Sequence, residues 1–144
     1  MKITQGLLYQ VRIKVSEETA EAIRAKELTI VTKSLLNICD QFGTSLVCTF
    51  DAFCGYCEEA EKNGIEKYSL YYWTKSVIND PVKKSKHLKS FAFYRGRDQT
   101  YDRELALNLH FELKRLLEQE WIEDLNLIDN DPKNNPQPPR DDKI

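Results

Sequence analysis

The sequence predicts an α+β fold: a two-layer sandwich in which a mostly antiparallel sheet carries one long N-terminal helix and one C-terminal helix. Three observations lead there. An early stretch alternates apolar and polar residues with a period of two, two long stretches repeat apolar residues at helical spacing, and aromatic or β-branched runs lie between them. At 144 residues the chain has the length of one domain with a core that needs no disulfide or metal. The expected division is a single domain over 1–128 and a polar, proline-containing tail over 129–144.

Along 7–15, Tyr9, Val11, Ile13 and Val15 point one way and Gln10, Arg12 and Lys14 the other, the pattern of a strand with one wet face. Ser16 then supplies a helix cap, with Glu17 and Glu18 where negative charge meets the positive end of the helix dipole. Apolar positions Ile23, Leu28, Val31, Leu35, Ile38, Cys39 and Phe42 recur at helical spacing up to Gly43, which predicts one long helix. The β-branched cluster at 29–32 marks the region from Glu27 to Thr29 as the place for a break.

Leu46, Cys48, Phe50 and Ala52 alternate with Ser45, Val47, Thr49 and Asp51 and predict a second strand, followed by the turn Cys54-Gly55-Tyr56-Cys57 and a short helix ending at Asn63-Gly64. The aromatic and β-branched run 68–78 predicts a third strand, and Asn79-Asp80-Pro81 a turn. Residues 88–94 read as a fourth strand, pairing with the third across a long basic connection. Asp102 caps a last helix whose buried stripe is Leu105, Leu109, Leu113, Leu116, Leu117 and Trp121. A ferredoxin-like arrangement is one sandwich of this kind, although no last strand for it is evident. Beyond Ile128 the chain has almost no apolar content and is expected to stay unfolded unless a partner holds it.

The formal net charge of −2 implies no global attraction to nucleic acid or membrane, so any electrostatic preference is local. Such a locality exists. Lys83, Lys84, Lys86, Lys89, Arg95 and Arg97 fall within 81–97 with no acidic residue before Asp98, and Lys75 precedes them. Tyr71, Trp73 and Tyr94 accompany them, so cations for phosphates stand beside rings for bases, the combination by which single strands are held. The same residues also suit a solvated loop beside a core. The functional expectation is a small non-catalytic binding protein that contacts single-stranded nucleic acid or a nucleoprotein through 75–97. The alternative is a protein-protein adaptor or accessory subunit using a sheet edge, the last helix or the tail.

Enzyme chemistry finds little support: no glycine-rich phosphate loop, nucleophile elbow or His-Glu-x-x-His helix occurs. Asp51, Glu58, Glu59 and Glu61 cluster near the cysteines, and Asp51 with Lys75 would be the pair of a nuclease. Phe50, Asp51 and the Cys54-Gly55-Tyr56-Cys57 run resemble the active-site turn of bacterial disulfide isomerases in the thioredoxin superfamily. That resemblance implies a dithiol redox protein with Cys54 attacking and Cys57 resolving. Cys48, Cys54 and Cys57 with His87 or His110 have the chemistry of zinc ligands but form one close pair where structural sites use two, so neither metal nor cofactor is expected. No apolar core of a signal peptide and no apolar run of bilayer length is evident, which leads to the expectation of a cytoplasmic protein without a membrane partner.

Overall fold

A computed structural model describes residues 9–129, so the expected tail and the N-terminal stretch read for a signal peptide lie outside the described residues. Four strands form one antiparallel sheet: β1 (Tyr9–Lys14), β2 (Ser45–Cys48), β3 (Ser90–Tyr94) and β4 (Asp124–Asp129), in the spatial order β2-β3-β1-β4. The helices are α1 (Glu17–Arg24), α2 (Ile30–Phe42), α3 (Thr49–Asn63), α4 (Tyr71–Ile78), α5 (Pro81–Leu88) and α6 (Arg103–Glu118). None of them is long and apolar enough to cross a membrane.

The core-facing half of the β1 alternation holds, with Val11, Ile13 and Val15 buried, but Gln10, read as part of a wet face, is buried as well at 7% exposed. They meet Phe91 and Phe93 of β3, Ala20 of α1, Leu35, Ile38 and Cys39 of α2, and Leu109 and Leu113 of α6 in one core. The leucine stripe of α6 packs where it was expected, and the Asp102 carboxylate accepts from the Leu105 amide at 3.1 Å.

The single N-terminal helix is corrected to two. After Arg24 the Glu27 amide donates to the Ala22 carbonyl and the Lys26 amide to that of Ile23, with Lys26 at φ 61°. These two bonds with a left-handed residue between them form a Schellman stop, with lysine where glycine is usual. Thr29 then opens α2 with a capping box, its hydroxyl accepting from the Thr32 amide at 3.1 Å while Thr32 accepts from the Thr29 amide at 2.7 Å. The cluster read as poor helix former is therefore a helix start.

Three strand assignments also change. β2 ends at Cys48, and helix begins at Thr49, so the Cys54 to Cys57 run lies within α3. The 68–78 run is α4, because Thr74 and Val77 are buried three apart while Tyr71 and Lys75 both reach Glu61 of α3, at 2.6 and 2.8 Å. Tertiary anchoring overrides β propensity there. Asp80 and Pro81 do not make a turn between strands. Asp80 caps α5 by accepting from the Val82 and Lys83 amides, and Pro81 stands in its first turn, where a missing N–H costs nothing. The pairing expected between 68–78 and 88–94 is absent: β3 pairs with β1 and β2. The fourth strand is β4, paired with β1 from Tyr9↔Asp129 to Lys14↔Asp124.

Candidate functional site

Because side chains alternate across a strand, the face of the sheet away from the core carries Gln10, Arg12 and Lys14 from β1. The register Val47↔Ala92↔Arg12 puts three of its residues in one row across β2, β3 and β1. Ala92 is the smallest of the three, which leaves depth in the middle of the row. Over this floor α3 brings Phe53 and Tyr56 and α4 brings Trp73, and the space enclosed is a cleft of about 320 Å³ that Tyr94, Thr74 and Gln99 also line. The helices are pinned above it, with the Tyr56 hydroxyl accepting from the Leu70 amide at 3.1 Å and the Tyr68 hydroxyl donating to Glu59 at 2.8 Å.

Two rings of this cleft are in contact, Phe53 meeting Trp73 edge to face at 5.9 Å. Phe53 also meets His87 of α5 at 5.0 Å. Trp73 remains 56% exposed, a large apolar surface left to solvent at the mouth. The cationic part adjoins it. Arg12 Nε donates to Gln10 Oε1 at 2.8 Å, and the rest of its guanidinium has no acceptor among the described residues. Burial lowers the pKa of His87, and so do the charges of Lys86, Arg12 and Lys83. Among the described residues no carboxylate stands within ion-pair distance of Lys83, Lys84 or Lys86.

The residues singled out in the sequence divide between this site and other places. Trp73 and Tyr94 enter the cleft, and Lys83 and Lys86 lie on α5, whose His87 touches Phe53 of the cleft wall. Lys84 turns away to lie over the Phe50 ring at 5.3 Å, and Lys89 lines a groove between α1 and α5. Lys75 is ion-paired with Glu61, which also accepts from the Tyr71 hydroxyl, and Arg95 is paired with Asp102 at 3.3 Å. Arg97 is exposed in the turn where Arg95 and Asp98 exchange backbone hydrogen bonds. Arg12, Phe53, Tyr56 and His87 belong to the site without having been singled out for it. Only Arg12 carried a signal, a cation on the wet face of an amphipathic strand.

The sulfur and carboxylate groups are arranged differently from expectation. Cys54 and Cys57 sit in the second and third turns of α3, away from its N-terminus, and burial raises both thiol pKa values, which favours the protonated form. Burial likewise raises the Cys39 thiol to about 11. The Cys48 sulfur lies 3.7 Å from the carbonyl oxygens of His87 and Leu88. Among the described residues no group of three or more His, Cys, Asp or Glu is placed to hold a metal ion. The nuclease pair is not formed: Asp51 makes a two-pronged pair with Arg24 at 2.8 and 3.1 Å, and Lys75 pairs with Glu61.

Comparison with protein-family models, curated proteins and solved structures gives no match to this chain. The functional reading therefore rests on the chemistry of the site.

Proposed function

We propose that the protein is a ferredoxin-like α+β binding protein that holds single-stranded nucleic acid on the second face of its sheet, between the aromatic cleft and α5. The strand order β2-β3-β1-β4 with helical connections from β1 to β2 and from β3 to β4 supports the fold assignment. One observation carries the functional part: an exposed tryptophan and an unneutralised arginine share one cleft, and α5, which carries Lys83 and Lys86, meets its wall through His87 on Phe53. Rings that stack on any base next to cations that follow a phosphate backbone are the usual means of binding a single strand without sequence preference.

The test is binding of single-stranded RNA and DNA oligonucleotides by fluorescence anisotropy over a salt series. Three phosphates neutralised by Arg12, Lys83 and Lys86 give a slope of log affinity against log salt of about −2, or a loss of roughly 20-fold between 50 and 200 mM. Changing Lys83 and Lys86 to glutamine reduces the slope to about −0.7, while Lys26→Gln with Lys33→Gln leaves it unchanged. Absence of binding at low salt by the folded protein, or equal effects of the two pairs of substitutions, overturns the proposal.

A protein-adaptor role is the second reading. Leu28 and Leu36, 66% and 45% exposed, line a groove with Leu46 of the edge strand β2. Exposed apolar side chains beside a free strand edge suit a partner segment. If nucleic acid fails to bind, loss of a copurifying partner in Leu28→Asp with Leu36→Asp is the outcome this reading requires.

A further inference from the structure

The size of the cleft limits what it accepts. About 320 Å³ lies at the small end of sites for small ligands, which run from roughly 300 to 1,000 Å³, and is room for one planar group rather than a stack of them. The floor of Val47 and Ala92 is apolar and offers no hydrogen bonds of its own from side chains. The walls are the rings of Phe53, Trp73 and Tyr94, and polar atoms come from Arg12, Gln99 and the buried Thr74. This is an apolar slot with a few polar groups, the composition that suits a flat heteroaromatic ring with hydrogen-bonding edges.

The continuity of the rings fixes the orientation. Phe53 touches both Trp73 of the cleft wall and His87 of α5, so the apolar wall adjoins the helix that carries Lys83 and Lys86, while Arg12 lines the cleft itself. A ligand reaching from Trp73 past Phe53 toward α5 is planar and uncharged at one end and anionic at the other. A nucleotide within a strand has that form.

We infer that the cleft receives a single unstacked nucleobase, with the adjoining phosphate on Arg12 and the His87 side of α5. The inference rests on the single-strand reading and adds a discrimination to it. A base paired within a duplex is not free to enter a slot between the sheet and the rings above it, so the protein separates single strands from duplexes by the base and not by charge alone.

The experiment uses the full chain carrying Trp121→Phe, which leaves Trp73 as the one indole of a protein with two tryptophans. Three probes of equal length are titrated at low salt: a single-stranded oligonucleotide, its duplex, and an abasic strand with the same phosphates. The single strand quenches Trp73 fluorescence and binds about 5- to 150-fold tighter than the abasic strand, the range expected from stacking one base. Trp73→Ala, in the otherwise natural chain, lowers single-strand affinity to the abasic value without altering the salt slope, while Tyr72→Ala, at a position 74% exposed outside the cleft, changes neither. Equal binding of all three probes with unquenched Trp73 overturns the pocket and leaves polymer binding intact. Failure of all three to bind overturns both.

Discussion

Replacing Tyr101 with phenylalanine removes one oxygen from the interior and tests how the central strand is held. The ladder between β1 and β3 ends at Arg12↔Ala92, because β3 leaves the sheet at Tyr94 for the turn at Arg95 and Asp98. The next amide of β1 on that side, Val11 N–H, thus lacks a strand carbonyl, and the Tyr101 hydroxyl accepts from it at 3.0 Å. Tyr9 and Tyr101 also exchange backbone hydrogen bonds at 3.0 and 2.7 Å, which fixes the ring beneath the strand. Both Tyr101 and Val11 are 0% exposed, so water cannot take the place of the lost acceptor. Phenylalanine keeps the ring and opens almost no cavity, and the cost is that of a buried unsatisfied amide, about 1–3 kcal/mol. For a chain of this length that lowers Tm by about 3–12 °C in differential scanning calorimetry. Faster hydrogen exchange at the Val11 amide localises the effect, and Tyr72→Phe serves as the exposed control. The alkaline limb adds a second signature. Burial pushes the Tyr101 hydroxyl from an ordinary 10.0 up to about 12, so the unfolded chain releases this proton first, and stability present below pH 10 is lost as pH rises toward 12. Tyr101→Phe lacks that contribution to the loss. An unchanged Tm together with unchanged exchange at Val11 would refute the account.

Two further predictions concern a backbone position and a histidine. Lys26→Gly relieves a left-handed conformation that costs a side-chain-bearing residue about 1–2 kcal/mol, so net stability rises by up to about 1 kcal/mol after the added freedom of the unfolded chain; a lower Tm counts against the Schellman stop at that position. His87 has a folded pKa below its ordinary 6.5 through burial and through Lys86, Arg12 and Lys83, so its contribution is complete above pH 6.5 and is lost as pH falls through the folded value. His87→Gln therefore flattens the acid limb of a urea-midpoint profile below the ordinary histidine range, and an unchanged limb counts against a lowered His87 pKa.

The parts of the fold legible in the sequence are those set by local chemistry alone. The alternation of Val11, Ile13 and Val15 determines which side of β1 is buried, and the carboxylate of Asp102 with its leucine stripe determines α6. The break after Arg24 was less legible because the left-handed position is held by Lys26, and glycine is the residue that advertises such a stop. α6 ends in the same way at Glu120, φ 63°, with Trp121 N–H returning to the Leu116 carbonyl. The start of α3 is silent for a related reason: Cys48 makes no side-chain cap, so nothing local separates the last strand residue from the first helical one. In α4 the sequence points the wrong way, and Glu61, ten and fourteen residues earlier than its partners Tyr71 and Lys75, decides the outcome.

The site was half legible for a geometric reason that also shapes its function. Counting charge along 75–97 treats the window as one surface, yet the window is wound into two helices, a strand and a turn, and a residue's side of a helix changes by about 100° per position. Lys83 and Lys86, three apart, are neighbours on the surface of α5, while Lys84 lies over the Phe50 ring. Lys75 and Arg95 leave the count altogether, since Glu61 and Asp102 hold them. Arg12 joins although it is more than sixty residues from α5 in the chain, because the register of β1 on β3 brings it there. What remains is a smaller positive charge concentrated beside one aromatic slot in place of six or seven cations spread over a loop. In the proposed complex with a single strand, affinity depends on both halves being occupied together, so a substitution in either half is expected to weaken it, the rings through the base and the cations through the phosphate.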